Sequence, residues 1–223
     1  MRYTDLSVKI DELIDMVIVT LDARDPYTFS HSERVAALSV LIADEMGLAS
    51  EEIEKIHIAA HLHDIGKIGV TDVVLNKDGK LLKEEMIMMQ SHSLIGHNIL
   101  KKLDLFEEIS KIVLHHHERY DGAGYPDGTV GERIPVESRI IAVADSFDAI
   151  TSDRPYRQGA SFQDGFEEIA RHVHDQFCPM VFKYFDKARD RIAPVLDDTE
   201  RVRIHHTAFV GHEDLIHSRR ILQ

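Results

Sequence analysis

The sequence predicts an all-α fold built as one helical bundle, and three observations carry that expectation. Apolar residues recur at the helical period along most of the chain, no stretch before the C-terminal tail alternates like a strand for a useful length, and neither an internal repeat nor a low-complexity linker divides it. The 223 residues accommodate one domain with a tail. The boundaries read as an N-terminal helix over 1–24, a main domain over 25–194 and a C-terminal tail over 195–223, to which the pattern gives no role.

The elements follow in order. Leu6, Ile10, Leu13, Ile14, Val17, Ile18 and Leu21 share one face of a first helix, which Asp25-Pro26 stops. Ser30 and Glu33 have the spacing of a capping box, followed by Val35, Leu38, Ile42 and Met46 at helical period and by Gly47 as a stop. Ser50 can cap a third helix, with Glu51 and Glu52 suited to its positive end, running through Ile53, Ile56 and Ala60 to His63-Asp64 before Gly66. After the turn Asn76-Lys77-Asp78-Gly79, helical patterns run from about Lys83 to Leu103 and from Phe106 to His117. Glu118 to Pro135 holds Gly122, Gly124, Gly128, Gly131, Pro126 and Pro135, and reads as a structured loop of the kind that carries function. Helices resume at Val136–Ile150, Ser161–Val173 and Pro179–Ile192, the last starting with a proline that a first turn tolerates. Arg201–Val210 alternates imperfectly, as a short strand or a docked tail would.

Composition narrows the function. The net charge of −13 repels phosphate polymers and anionic lipid, which argues against general nucleic-acid or membrane binding. The apolar run Met16–Leu21 is far too short to span a bilayer, so a soluble, cytoplasmic protein is expected. A single cysteine, Cys178, excludes an internal disulfide and multi-thiolate metal sites; beside Phe177 it reads as a small core residue. Histidine is the anomaly: of 15, nine lie between His31 and His117, which makes metal ligation by imidazole the first hypothesis.

His31, His63, Asp64, His92, His116, His117 and Asp145 each fall near the start, middle or end of an expected helix, and a bundle can turn such residues to one point. Successive helical side chains diverge by about 100 degrees, so the adjacent pair His63-Asp64 reaches one centre only near a helix end or where two metals sit side by side. The second option fits better, because Asp64 has two oxygens with which to bridge. His57, His61, His97 and His115 fall outside this set and read as ordinary helix residues.

Three ordered motifs then resemble the HD-GYP family of cyclic-di-GMP phosphodiesterases. They are His63-Asp64-Ile65-Gly66-Lys67-Ile68-Gly69, His116-His117-Glu118-Arg119-Tyr120-Asp121-Gly122-Ala123-Gly124-Tyr125-Pro126, and Ala144-Asp145-Ser146-Phe147-Asp148-Ala149-Ile150-Thr151-Ser152-Asp153-Arg154-Pro155-Tyr156-Arg157. The likeness covers about Asp25 to Phe185 and implies an all-helical HD-type catalytic domain over 25–194. It implies hydrolysis of cyclic-di-GMP to linear pGpG, to GMP, or to both, by in-line attack of a hydroxide that bridges two metals. Carried over by motif, His31, His63, Asp64 and Asp145 hold one metal, and Asp64 bridges to a second held by His92, His116 and His117. Lys67 adds a cation and donor near the scissile phosphate, Arg154 and Arg157 bind phosphate, and Tyr125 with Gly124 lines the pocket.

The position four residues before His31, a glutamate in members with a third metal, is Tyr27 here, so two divalent transition metals are expected: iron or manganese first, with zinc and nickel also compatible with mixed N/O ligation. Cys178 replaces an aspartate of the family's closing motif. Glu118 and Asp121 either orient imidazoles or structure the loop. The substrate partner is cyclic-di-GMP, and the helix Leu6–Leu21 is core packing or a surface for a homodimer or regulatory protein. The rivals are an HD enzyme acting on another cyclic dinucleotide or nucleotide, a mixed-valent iron oxygenase, which the phosphate-binding arginines oppose, and a non-catalytic module that binds the dinucleotide and signals by shape.

Overall fold

A computed structural model describes residues 14, 16–17, 20, 28–153 and 158–197. Nine α-helices are labelled here in chain order: α1 Thr28–Met46, α2 Ser50–Leu62, α3 Asp72–Leu75, α4 Lys83–Gln90, α5 His92–Leu100, α6 Glu107–His115, α7 Val136–Thr151, α8 Phe162–Arg171 and α9 Pro179–Lys187. Short 3-10 turns lie at Ile65–Gly69, Asp104–Phe106 and Gly131–Arg133, and residues 189–197 are again helical. The all-α expectation holds: among the described residues β pairing is confined to one isolated bridge, Val173 with Phe177. None of their helices is long and apolar enough to cross a membrane.

The bundle closes around α1 and α7. Helix α1 packs on α2, α7 and α9; α2 reaches α6; α5 lies against α6 and the Ile65–Gly69 turn; and α8 covers α7. Their inward faces supply Leu38 and Ile42, Ile56 and Ala59, Ile112 and Val113, Ile140 and Phe147, all buried. At about 25 cal/mol per Å² of apolar area this burial is the main stabilising term. Phe147, Phe166 and Phe185 stack at the lower end with ring centroids 4.6–5.2 Å apart, within the range that favours aromatic pairs.

Several expected boundaries move, each for a local reason. Thr28–Met46 is helical, so Ser30 lies inside α1 rather than just ahead of it, and the buried His31 ring beside it bonds Asp148 at 2.8 Å. Ala49 rather than Ser50 precedes α2, and its N–H donates to Glu52 Oε2 at 3.0 Å. The single helix expected from Lys83 to Leu103 is two. It breaks at Ser91, whose hydroxyl donates back to the Met88 carbonyl at 2.6 Å, and α5 sets off with His92 turned inward. The short α3 was not foreseen. Ser161 caps α8 by accepting the Asp164 N–H at 3.1 Å. Of the expected N-terminal helix, Ile14 is buried in the core and Val17 packs against it. Its other apolar positions, Tyr27, Arg154, Arg157 and the tail segment Arg201–Val210 lie outside the described residues.

Candidate metal centre

Five helices bring the seven candidate ligands to one place. His31 comes from the first turn of α1, His63 and Asp64 from the end of α2, His92 from the start of α5, His116 and His117 from the end of α6, and Asp145 from the middle of α7. The helix ends matter because the last turn of a helix has carbonyls without amide partners. His63 Nδ1 donates to the Ala60 carbonyl at 2.7 Å, His92 Nδ1 to Met89 at 2.8 Å and His116 Nδ1 to Val113 at 2.6 Å. A carbonyl only accepts, so Nδ1 carries the proton in each ring and Nε2 turns a bare lone pair inward.

Those lone pairs face one another and the Asp64 carboxylate. His92 Nε2 and His116 Nε2 are 3.3 Å apart. Asp64 Oδ2 lies 3.3 Å from His63 Nε2 and 4.0 Å from His31 Nε2, while its Oδ1 lies 3.5 Å from His92 Nε2. His31 Nε2 is 3.3 Å from Asp145 Oδ1. The ligand atoms of His31, His63 and Asp64 fall within 4.8 Å of one another, and so do those of His92, His116 and His117. The protonated His31 bonds to Asp145, whereas at His63, His92, His116 and Asp64 acceptor faces acceptor, which is repulsive in an interior where unpaired polar groups cost several kcal/mol. Cations satisfy it: the donor set of nitrogens and carboxylate oxygens, with Asp64 facing both groups, fits two transition-metal ions.

Electrostatics keep His92, His116, His117, Asp64 and Asp145 in ligating form, while His31 holds a proton that a metal would displace. Burial, reinforced by neighbouring imidazoles, holds His116 well below its usual range and brings His117 down to about 3; burial also lowers His92. For Asp64, burial favours the neutral acid, but the Lys67 cation beside it outweighs that and holds the carboxyl far below normal. Burial likewise opposes ionisation of Asp145, and the His31 hydrogen bond overrides it. Burial disfavours charge on His31 too, yet its bonds to Asp145 and Asp148 raise it to about 9.

The remaining candidates are placed as follows. Lys67 donates to Asp64 Oδ2 at 2.6 Å, so its cation sits at the bridging carboxylate. Tyr125 is half-buried, its ring 4.9 Å from His117 and 6.3 Å from His92. Gly124 makes its close approach to the chain itself rather than to an open pocket: an added Cβ would stand 2.3 Å from the Arg119 nitrogen and 2.6 Å from the His117 carbonyl oxygen. Glu118 structures the loop and touches no imidazole of the centre, its two oxygens accepting the Asp127 and Thr129 N–H groups at 2.8 and 3.1 Å. Asp121 pairs with Arg119. His115 lies off the centre, its Nε2 3.2 Å from Asp127. Cys178 is buried and accepts from Arg139 at 3.3 Å.

One residue escaped the sequence reading. Asp148, one helical turn beyond Asp145, is fully buried and accepts from His31 Nδ1 at 2.8 Å, from the Arg34 guanidinium at both oxygens and from Ser152 Oγ at 3.0 Å. The i, i+3 spacings of Asp145 with Asp148 and of His31 with Arg34 put each pair on one helix face, and that was the available signal.

Comparison with known proteins follows the same outline. A family model described as "HD domain" matches residues 15–181. The chain is 40% identical over 196 residues to the cyclic di-GMP phosphodiesterase of Thermotoga maritima, covering 87% of this chain and 52% of that protein. It is 46% identical over 149 residues to the cyclic di-GMP phosphodiesterase response regulator RpfG of Xanthomonas campestris pv. campestris, covering 66% of this chain and 39% of that one. The chain thus spans about half, or less, of the length of these curated relatives. The crystal structure of the Vibrio cholerae cyclic GMP-AMP specific phosphodiesterase V-cGAP3 shares the fold, with a TM-score of 0.66 at 20% identity over 86% of this chain and 53% of that one. Because the matched stretch runs from ahead of α1 into α9 and takes in every one of the converging side chains, the chain belongs to the HD domain family.

Proposed function

We propose that this chain is a two-metal phosphodiesterase whose substrate is cyclic-di-GMP, hydrolysed to pGpG, GMP or both. One observation carries the reading: lone pairs and carboxylate oxygens facing each other at 3.3–3.5 Å, which two cations would reconcile. His31, His63, Asp64 and Asp145 hold one ion, and His92, His116 and His117 with the bridging Asp64 hold the other. Two such ions, when bound, supply a Lewis acid for a phosphoryl oxygen and a nucleophile derived from water at neutral pH. Iron or manganese is the expected metal, with zinc and nickel admitted by the same donors.

The chain's own groups do the rest. Lys67 Nζ, held at Asp64, brings a positive charge to the edge of the site where the phosphodiester carries its negative one. Tyr125 offers an aromatic face beside His117 for a base or sugar. Arg154 and Arg157 bind the second phosphate of the ring, and residues 25–194 form the catalytic domain, working in the cytoplasm. The relatives' names support the substrate. The test is metal analysis of anaerobically purified protein, paired with chromatography of products from cyclic-di-GMP and from another cyclic dinucleotide. Two ions per chain and pGpG or GMP are expected. A loaded protein that leaves cyclic-di-GMP intact, or prefers the other dinucleotide, overturns the assignment.

A further inference from the structure

The chain leaves the ligand pair at His117, makes a loop of seven residues and comes back over the same pair with Tyr125. Glu118 stands at the root of that loop and is buried. Its carboxylate does not turn to the metal centre. One oxygen accepts the Asp127 N–H at 2.8 Å and the other the Thr129 N–H at 3.1 Å, so a single side chain pins the stretch just beyond Tyr125 from below. On the near side the Tyr125 N–H donates to the His117 carbonyl at 3.3 Å, and Gly124 packs on the Glu118 backbone with no room for a Cβ. The Tyr125 ring is thereby held 4.9 Å from His117 at an interplanar angle of 34°.

We propose that Glu118 is a positioning residue for substrate: by bonding the Asp127 and Thr129 amides it fixes Tyr125 over the His92–His116–His117 group, and so sets substrate affinity without holding metal. This role rests on the phosphodiesterase reading above. Only a carboxylate suits the place, because both partners are donors. Glutamine keeps the shape but turns an NH2 group toward one of the two amides, which is then left without an acceptor. Charge-assisted bonds of this kind are the strong ones, and their loss shows most where the loop must hold still.

The test uses the metal-loaded full chain as wild type, Glu118→Gln, Tyr125→Ala and the double variant. Metal content, amide exchange at Asp127 and Thr129, kinetics on cyclic-di-GMP, and the rate on bis(4-nitrophenyl) phosphate, which carries no base to place, are measured on each. For Glu118→Gln the metal content and the aryl phosphodiester rate should stay at wild-type level. The two amides should exchange at least about tenfold faster, and KM for cyclic-di-GMP should rise about tenfold with kcat within about threefold. The double variant should have the KM of Tyr125→Ala alone, since the carboxylate acts through that ring. Loss of an ion, an unchanged KM, or additive effects in the double variant overturns the proposal. If Glu118→Gln fails to fold, Glu118→Asp, which keeps the charge one methylene short, takes its place, and a KM equal to wild type then counts against the role. Wild type that cleaves the aryl ester and not cyclic-di-GMP removes the cyclic-di-GMP reading and the role with it, whereas unaltered amide exchange removes the role alone.

Discussion

Asp64 faces both ligand groups, Oδ2 toward His63 and Oδ1 toward His92. Replacing it by alanine should therefore cost more than one ion per chain as well as activity, while His117→Ala should cost one; elemental analysis of the two purified variants separates them. Asp148 makes a different demand. It is the buried anion between His31 and Arg34, and breaking a buried pair by removing one charge costs about 3 kcal/mol or more. Asp148→Asn should show that loss in urea unfolding, together with weaker metal retention, because His31 loses the charged partner at its Nδ1. The seven candidate ligands were legible in the sequence because their motifs are ordered and their chemistry is unusual. Asp148 was not, because its meaning depends on Arg34, 114 positions away, and only the packing of α1 on α7 brings the two together.

At the scale of elements, periodicity foresaw the helices of the core and failed where a helix is exposed. In α4 the side chains of Met86, Ile87 and Met88 face solvent, so the apolar pattern from Lys83 onward mimicked one long buried helix and hid the break at Ser91. That break aims His92, and what seats α5 beside the end of α2 is a backbone contact at Gly66. A Cβ there would fall 1.8 Å from the His92 carbonyl oxygen and 2.5 Å from the Gly96 nitrogen. Gly66→Ala must push α5 away, with an overpacking cost of about 1–3 kcal/mol. The His92 ring would move off Asp64, so the variant should lose at least one ion while keeping its helical circular dichroism. Two retained ions at wild-type affinity would show that α5 is not seated by this contact.

For the whole molecule, fold class and the gathering of the centre could be read from the chain, whereas the two proposed arginines and residues 198–223 of the tail lie beyond the described residues. Five of the nine helices meet at the centre, so cations bound there should tie the bundle together. A ligand at 100 times its Kd adds about 2.7 kcal/mol to stability. Chelation is expected to lower the thermal midpoint by several degrees, with recovery on adding back iron or manganese; a midpoint indifferent to chelator would mean that the bundle stands without them.

Where a helix stops decides where an imidazole keeps its hydrogen. Because α2, α4 and α6 end where they do, the Ala60, Met89 and Val113 carbonyls capture that hydrogen on the outward nitrogen. The counterpart in solution is a stoichiometry of acid release. His92, His116 and His117 are held neutral by burial and surrender nothing on taking up a cation, while His31, raised to about 9, must give up its proton at pH 7. Loading should thus liberate about one proton per chain from the imidazoles, besides the one that metal-bound water gives up, and the affinity of the His31 group should climb about tenfold per pH unit until pH nears 9. Calorimetric heats of loading compared in buffers of different ionisation enthalpy give this number directly, and a release of three or more would mean that the helix ends do not hold the imidazoles as described.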